Sequence, residues 1–186
     1  MGRRLSVAAL AAWLALSGIS ASAEEAAART PLAKPGDTYV SLQVEGCANK
    51  CPSFEIYVFD TGRMTFRSNN QYTSARGKHF KSGIPDVYAQ IRKYLDESGA
   101  FPEQAPCTEQ KPDTSVATAQ SAHDSQVQKA SWSSACAEQR EKGRAVVKVF
   151  VNQTGMWRLI NSDTRYWEKY WETWQLPPEK TASPAE

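Results

Sequence analysis

From Tyr39 onward the chain alternates, with Val40, Leu42 and Val44 on one phase and Tyr39, Ser41, Gln43 and Glu45 on the other. A period of two places each set on one face of an extended strand. After Gly46 to Pro52 the alternation returns with Phe54, Ile56 and Val58. It returns again through Met64 and Phe66 once Asp60-Thr61-Gly62 has supplied turn residues. These segments predict an antiparallel meander of about three strands. The period then changes: Ile84, Val87, Tyr88, Ile91, Tyr94 and Leu95 recur at three and four residues, the apolar stripe of a helix. Pro85 suits its first turn and Gly99 its left-handed end.

A second hairpin is predicted from Thr114 to Gln120 and Gln126 to Trp132, turning at His123-Asp124-Ser125. The stretch from Ala137 to Asn152 begins with helix formers and ends with Val146, Val147, Val149, Phe150 and Val151, which favour strands. Because Cys136, Val147, Phe150 and Val151 can share one helical face, helix is the preferred reading. Trp167, Trp171 and Trp174 lie four and three residues apart, which predicts a short amphipathic helix from about Asp163 to Gln175. The fold class expected is α+β: the meander, a helix, the second hairpin and one or two further helices.

The ends of the chain read differently. Arg3 and Arg4 precede an apolar run from Leu5 to Leu16, and Ala21-Ser22-Ala23 offers the small residues a signal peptidase reads. The run is well short of the roughly 20 residues that cross a bilayer, so a cleaved signal over residues 1–23 is expected rather than an anchor. The flanking residues fit a twin-arginine route poorly. Residues 24–37, rich in Ala, Glu, Lys and Pro, read as a flexible tether. Residues 38–176 read as a single domain, and 177–186 as a disordered tail. The expected location is periplasmic or secreted.

Charge narrows the partners. The full chain has 22 basic and 20 acidic residues; losing Arg3 and Arg4 leaves 20 of each. A neutral surface lacks the clustered cations that a nucleic-acid backbone demands. Cysteine usage fits export: Cys47, Cys51, Cys107 and Cys136 are an even set in an oxidising compartment. Of the three possible pairings, Cys47–Cys51 with Cys107–Cys136 is preferred.

The stretch Gly46-Cys47-Ala48-Asn49-Lys50-Cys51-Pro52-Ser53-Phe54-Glu55-Ile56 resembles the opening signature of a family of bacterial exported domains of unknown function. There a Cys-x-x-x-Cys-Pro run links two strands ahead of an Asp/Gly turn. The resemblance continues through Asp60-Thr61-Gly62 and the helix to Leu95, covering roughly residues 39–101. It implies a strand-linking disulfide and an exported fold, with no activity attached. The same string is similar to the motif of copper-delivering thioredoxin-fold proteins, in which two thiolates and a distant His hold Cu(I). His123 would supply the third ligand beside Cys47 and Cys51. In that fold, however, the second Cys opens a helix, whereas Pro52 here leads into period-two residues. A structural clasp is therefore preferred to a thiol-redox or metal site.

Other chemistry is sparse. His79 and His123 sit among polar residues near predicted turns; no Gly-x-Ser-x-Gly elbow, Ser-x-x-Lys pair or glycine-rich phosphate loop occurs. Glu55, Asp60 and Asp86 fall at strand, turn and helix-start positions. No catalytic residues and no cofactor are expected. The aromatic surplus at Trp167, Tyr170, Trp171 and Trp174 either closes the core or forms a binding patch. The expected role is a non-catalytic domain that binds a protein or glycan partner in the cell envelope.

Overall fold

A computed structural model describes residues 31–46, 51–68, 70–83, 86–101, 107–108 and 114–161. Six strands form one antiparallel sheet: β1 (Tyr39–Glu45), β2 (Phe54–Phe59), β3 (Arg63–Ser68), β4 (Gly77–Ser82), β5 (Val116–His123) and β6 (Gln126–Ser133), ordered β4-β3-β2-β1-β5-β6. Three helices complete the described fold: α1 (Asp86–Glu97), α2 (Ala137–Thr154) and the single turn α3 (Trp157–Ile160). The α+β class stands, but the sheet is larger than a three-stranded meander. The meander has a fourth strand, and the second hairpin joins the same sheet by pairing β5 with β1.

The strand missed from sequence is β4. Gly77-Lys78-His79-Phe80-Lys81-Ser82 has one large apolar residue, and that residue faces away from the core, so no alternation marks it. It is an edge strand, and lysines on an edge discourage pairing with other chains. Its place is secured by its register with β3, from Arg63↔Ser82 to Ser68↔Gly77.

Pairing carries one phase of each strand onto a common face. Val40, Leu42 and Val44 lie opposite Val58, Ile56 and Phe54 on one side, and opposite Ser121, Ala119 and Ala117 on the other. Ser121 apart, these residues form one buried cluster with Val87, Ile91 and Leu95 of α1 and with Val146, Val147, Phe150 and Val151 of α2. Helix α1 packs over β1 and β2, and α2 over β5 and β6. Small residues on β5 make room there: Ala117 faces Trp132 across the ladder, and the indole, 1% exposed, fills the space.

The ambiguous valine-rich segment is helical. Its length has a use: 18 residues span roughly 27 Å, close to the ~24 Å width of six strands. Helix α2 starts directly after β6, and at its far end Lys81 Nζ of β4 donates to the Thr154 carbonyl at 2.8 Å. A cation there complements the helix dipole and ties the two sheet edges through one helix. Gly155 ends α2 at φ 63° and Gly99 follows α1 at φ 60°, the left-handed stops their positions require. The β5–β6 turn narrows to Asp124 and Ser125, both at positive φ, since His123 and Gln126 are already paired.

The end of the expected tether has structure. Leu32 is buried, and Lys34-Pro35-Gly36-Asp37 forms a turn in which the Asp37 amide donates to the Lys34 carbonyl at 3.0 Å. Pro followed by a glycine at φ 88° is type II turn chemistry. Residues 24–30, the signal segment 1–23 and the tail 177–186 lie outside the described residues, as does the helix expected from Asp163 to Gln175.

Candidate binding surface

The chain from Cys51 into β2 is built as a structural corner. Cys51 is disulfide-bonded and 3% exposed; Cys47 lies outside the described residues. Asn70 Nδ2 donates to the Cys51 carbonyl at 2.9 Å, and Ser68 Oγ donates to the Ser53 carbonyl at 2.6 Å. The Gly46 amide donates to Ser53 Oγ at 2.8 Å. Thr73, buried, sets its hydroxyl 2.9 Å from that of Ser68. Short polar side chains from β3 and the loop after it thus clamp the residues that lead into β2.

His123 is elsewhere. It closes β5 beside Tyr39, whereas Cys51 precedes the β2 residue paired with Val44. Five to six strand residues separate those positions, roughly 17–20 Å at about 3.3 Å per residue. The imidazole is exposed and 3.0 Å from the Asp124 carboxylate. The fold does not bring His123 to Cys51 as a shared Cu(I) site would require. Among the described residues, no group of three or more His, Cys, Asp and Glu is placed to hold a metal ion.

Cys107 and Cys136 are bonded, with Cα atoms 5.9 Å apart, in agreement with the preferred pairing. Cys136 is the residue preceding α2, so the bridge fixes the start of that helix to the segment after α1. Around it, the Ser133 amide donates to Gln139 Oε1 at 2.9 Å, Arg140 Nε donates to the Ser134 carbonyl at 2.8 Å, and Ser115 and Ser134 bond across the strand ends. These contacts account for both cysteines as a staple. Trp167, Tyr170, Trp171 and Trp174, the expected aromatic patch, lie outside the described residues.

The sheet face opposite α1 and α2 is a surface that sequence reading did not single out. Register lines up two rows of side chains across all six strands. One runs Phe80, Thr65, Tyr57, Ser41, Gln120, Lys129; the next runs Lys78, Arg67, Glu55, Gln43, Thr118, Ser131. Aromatic residues gather toward one end: Tyr39 and Tyr57 have ring centres 5.3 Å apart, Phe59, itself buried, lies next to both, and Phe80 is 64% exposed, while Thr65, Ser41 and Glu55 within the rows are buried.

Four of the charges in this region are matched in two pairs. Arg67 Nη2 donates to Glu55 Oε2 at 2.6 Å, with both side chains largely covered. Arg63 lies 3.7 Å from Asp37 and also stacks its guanidinium 3.8 Å above the Phe59 ring. Burial pushes the Tyr39 phenol above its ordinary value, and the Asp37 charge adds to the shift. Burial raises Tyr57 too, with Glu55 and Tyr39 adding, against Arg67 and the Ser41 hydroxyl. Lys78, its ammonium over the Phe80 ring, and Lys129 lie on the outer strands, and the remainder is amide and hydroxyl: Gln43, Gln120, Thr118 and Ser131, the last two 2.8 Å apart. A signal was present in the sequence, because Tyr39, Tyr57 and Phe59 occupy the polar phase of their strands.

Among the described residues no helix is long and apolar enough to cross a membrane. No family model matches the chain, and no curated protein matches it.

Proposed function

We propose that this chain is an exported, non-catalytic domain that binds a neutral glycan of the cell envelope on the open face of its sheet. The observation that carries the reading is the double row across that face. Aromatic rings stand at one end, amides and hydroxyls at the other, Arg67 and Glu55 are paired with one another, and Lys78 and Lys129 lie on the outer strands. Sugars present flat C–H faces that stack on aromatic rings and hydroxyls that both donate and accept, and Tyr, Gln, Ser and Thr serve both needs. The disulfides, the signal-like start and the resemblance of residues 39–101 to exported bacterial domains support a periplasmic or secreted setting. A thiol-redox or Cu(I)-handling role for Cys47 and Cys51 is less well supported. The Cys51 sulfur is buried, whereas working thiols sit in accessible, electropositive surroundings.

The test is binding of the chain to N-acetyl-chito-oligosaccharides and soluble peptidoglycan fragments by calorimetry, with Tyr57→Ala and Phe80→Ala alongside. Saturable binding that each variant weakens about tenfold, a loss of roughly 1.4 kcal/mol, supports the reading. Absence of saturable binding to either glycan, or binding indifferent to both substitutions, sinks it. Retention of near-stoichiometric Cu(I) by the reduced chain would favour the metal reading instead.

A further inference from the structure

Side-chain size alternates along the first of the two rows on the open face. Phe80 is exposed, and Tyr57 and Gln120 are half-buried; they stand on β4, β2 and β5, alternate strands of the sheet. Between them, on β3 and β1, the smaller Thr65 and Ser41 are buried. The row thus rises on every second strand and dips on the strand between. Neighbouring strands lie about 4.8 Å apart, so the raised positions recur at roughly 10 Å along a line across the sheet.

That pitch selects a linkage. In a β-1,4-linked pyranose chain both bridging bonds are equatorial, and each sugar is flipped relative to the one before. The chain is an extended ribbon that offers the same ring face on every second sugar, a repeat of roughly 10 Å that matches two strand spacings. Chains linked α-1,4 or β-1,3 curl instead and give no straight run of like faces at this pitch. The rings of Phe80 and Tyr57 suit the C–H faces of such sugars, and the Gln120 amide can donate to and accept from their hydroxyls. Charge agrees: Arg67 and Glu55 in the adjoining row are paired at 2.6 Å, which suits an uncharged chain over the middle of the sheet. We infer, on the reading of this face as a glycan site, that it takes an extended β-1,4-linked glycan running across the strands. The first, third and fifth sugars sit over Phe80, Tyr57 and Gln120, and the flipped sugars between them over Thr65 and Ser41.

Calorimetric titration of the full chain with cellopentaose, laminaripentaose and maltopentaose, which differ only in linkage, tests the ribbon. Chitobiose against chitotriose tests the register, because three sugars are the fewest that reach both rings. Cellopentaose is expected to bind at least about tenfold more tightly than the other two glucans, and chitotriose about tenfold more tightly than chitobiose. Phe80→Ala, a change at an exposed side chain, should cut the chitotriose gain to about threefold or less. Absence of a preference for cellopentaose, or a chitotriose gain unchanged in Phe80→Ala, overturns the linkage inference; chitotriose binding that Tyr57→Ala still weakens would then leave the glycan reading standing. No saturable binding of any of the five sugars overturns both.

Discussion

At position 46 the fold has room only for a hydrogen. A Cβ there would lie 2.6 Å from the Cys51 carbonyl oxygen and 2.9 Å from the Cys51 Cβ. The obstacle is backbone held by Asn70 and by a disulfide, so it cannot swing aside. Gly46→Ala is expected to destabilise the chain by about 1–3 kcal/mol, the usual cost of forced overpacking, seen as a lower urea midpoint at unchanged slope. The tyrosines make a different statement. Burial raises the phenol pKa of Tyr39, Tyr57, Tyr88 and Tyr94 above the ordinary 10.0. The fold therefore favours the protonated phenol, and that stability is complete below pH 10. It is lost as pH rises through the raised folded values. Denaturation midpoints should stay level from pH 7 to 9 and fall above 10, in step with tyrosinate absorbance; a chain equally stable at pH 11 would contradict this.

Among the elements, α2 does the most to join distant parts. Its first residue follows Cys136, bonded to Cys107 across 29 positions, and its last carbonyl receives Lys81 from the opposite sheet edge. Replacing both Cys107 and Cys136 with Ser is expected to cost about 3.5 kcal/mol on the chain-entropy model for a loop of that length, measured as ΔG of unfolding in denaturant. Elements with strong periodicity were legible in the sequence: β1, β2, β3 and α1 appear where Val40 to Val44, Phe54 to Val58, Met64 and Phe66, and Val87 to Leu95 place them. Helix α2 was legible only by asking which residues share a face, because its valines prefer strands and tertiary burial overrides that preference. Strand β4 was not legible, since its evidence is a ladder with β3 rather than any pattern of its own. The open-face surface was half visible: the aromatics stand out on the polar phase, but the rows exist only once register between strands far apart in sequence is known.

On the scale of the whole molecule, neither hairpin nor helix pair could present the proposed binding face alone. Tyr57 and Gln120 belong to segments on either side of α1, and they reach one row because both β2 and β5 pair with β1. The proposed glycan site therefore depends on closure of the entire sheet, and loss of binding should accompany loss of fold cooperatively. Glycan binding and far-ultraviolet dichroism followed through one urea titration should share a midpoint; separate midpoints would place the site in a smaller unit.

β1, in the interior of the sheet, is made early and closed late. Its hairpin with β2 forms from neighbours in sequence, but its other flank waits for β5, more than seventy residues further on. A chain emerging in order would meanwhile present the β5-facing amides and carbonyls of β1 unpaired to any strand nearby. A fragment ending at residue 101 should thus self-associate where the intact chain stays apart.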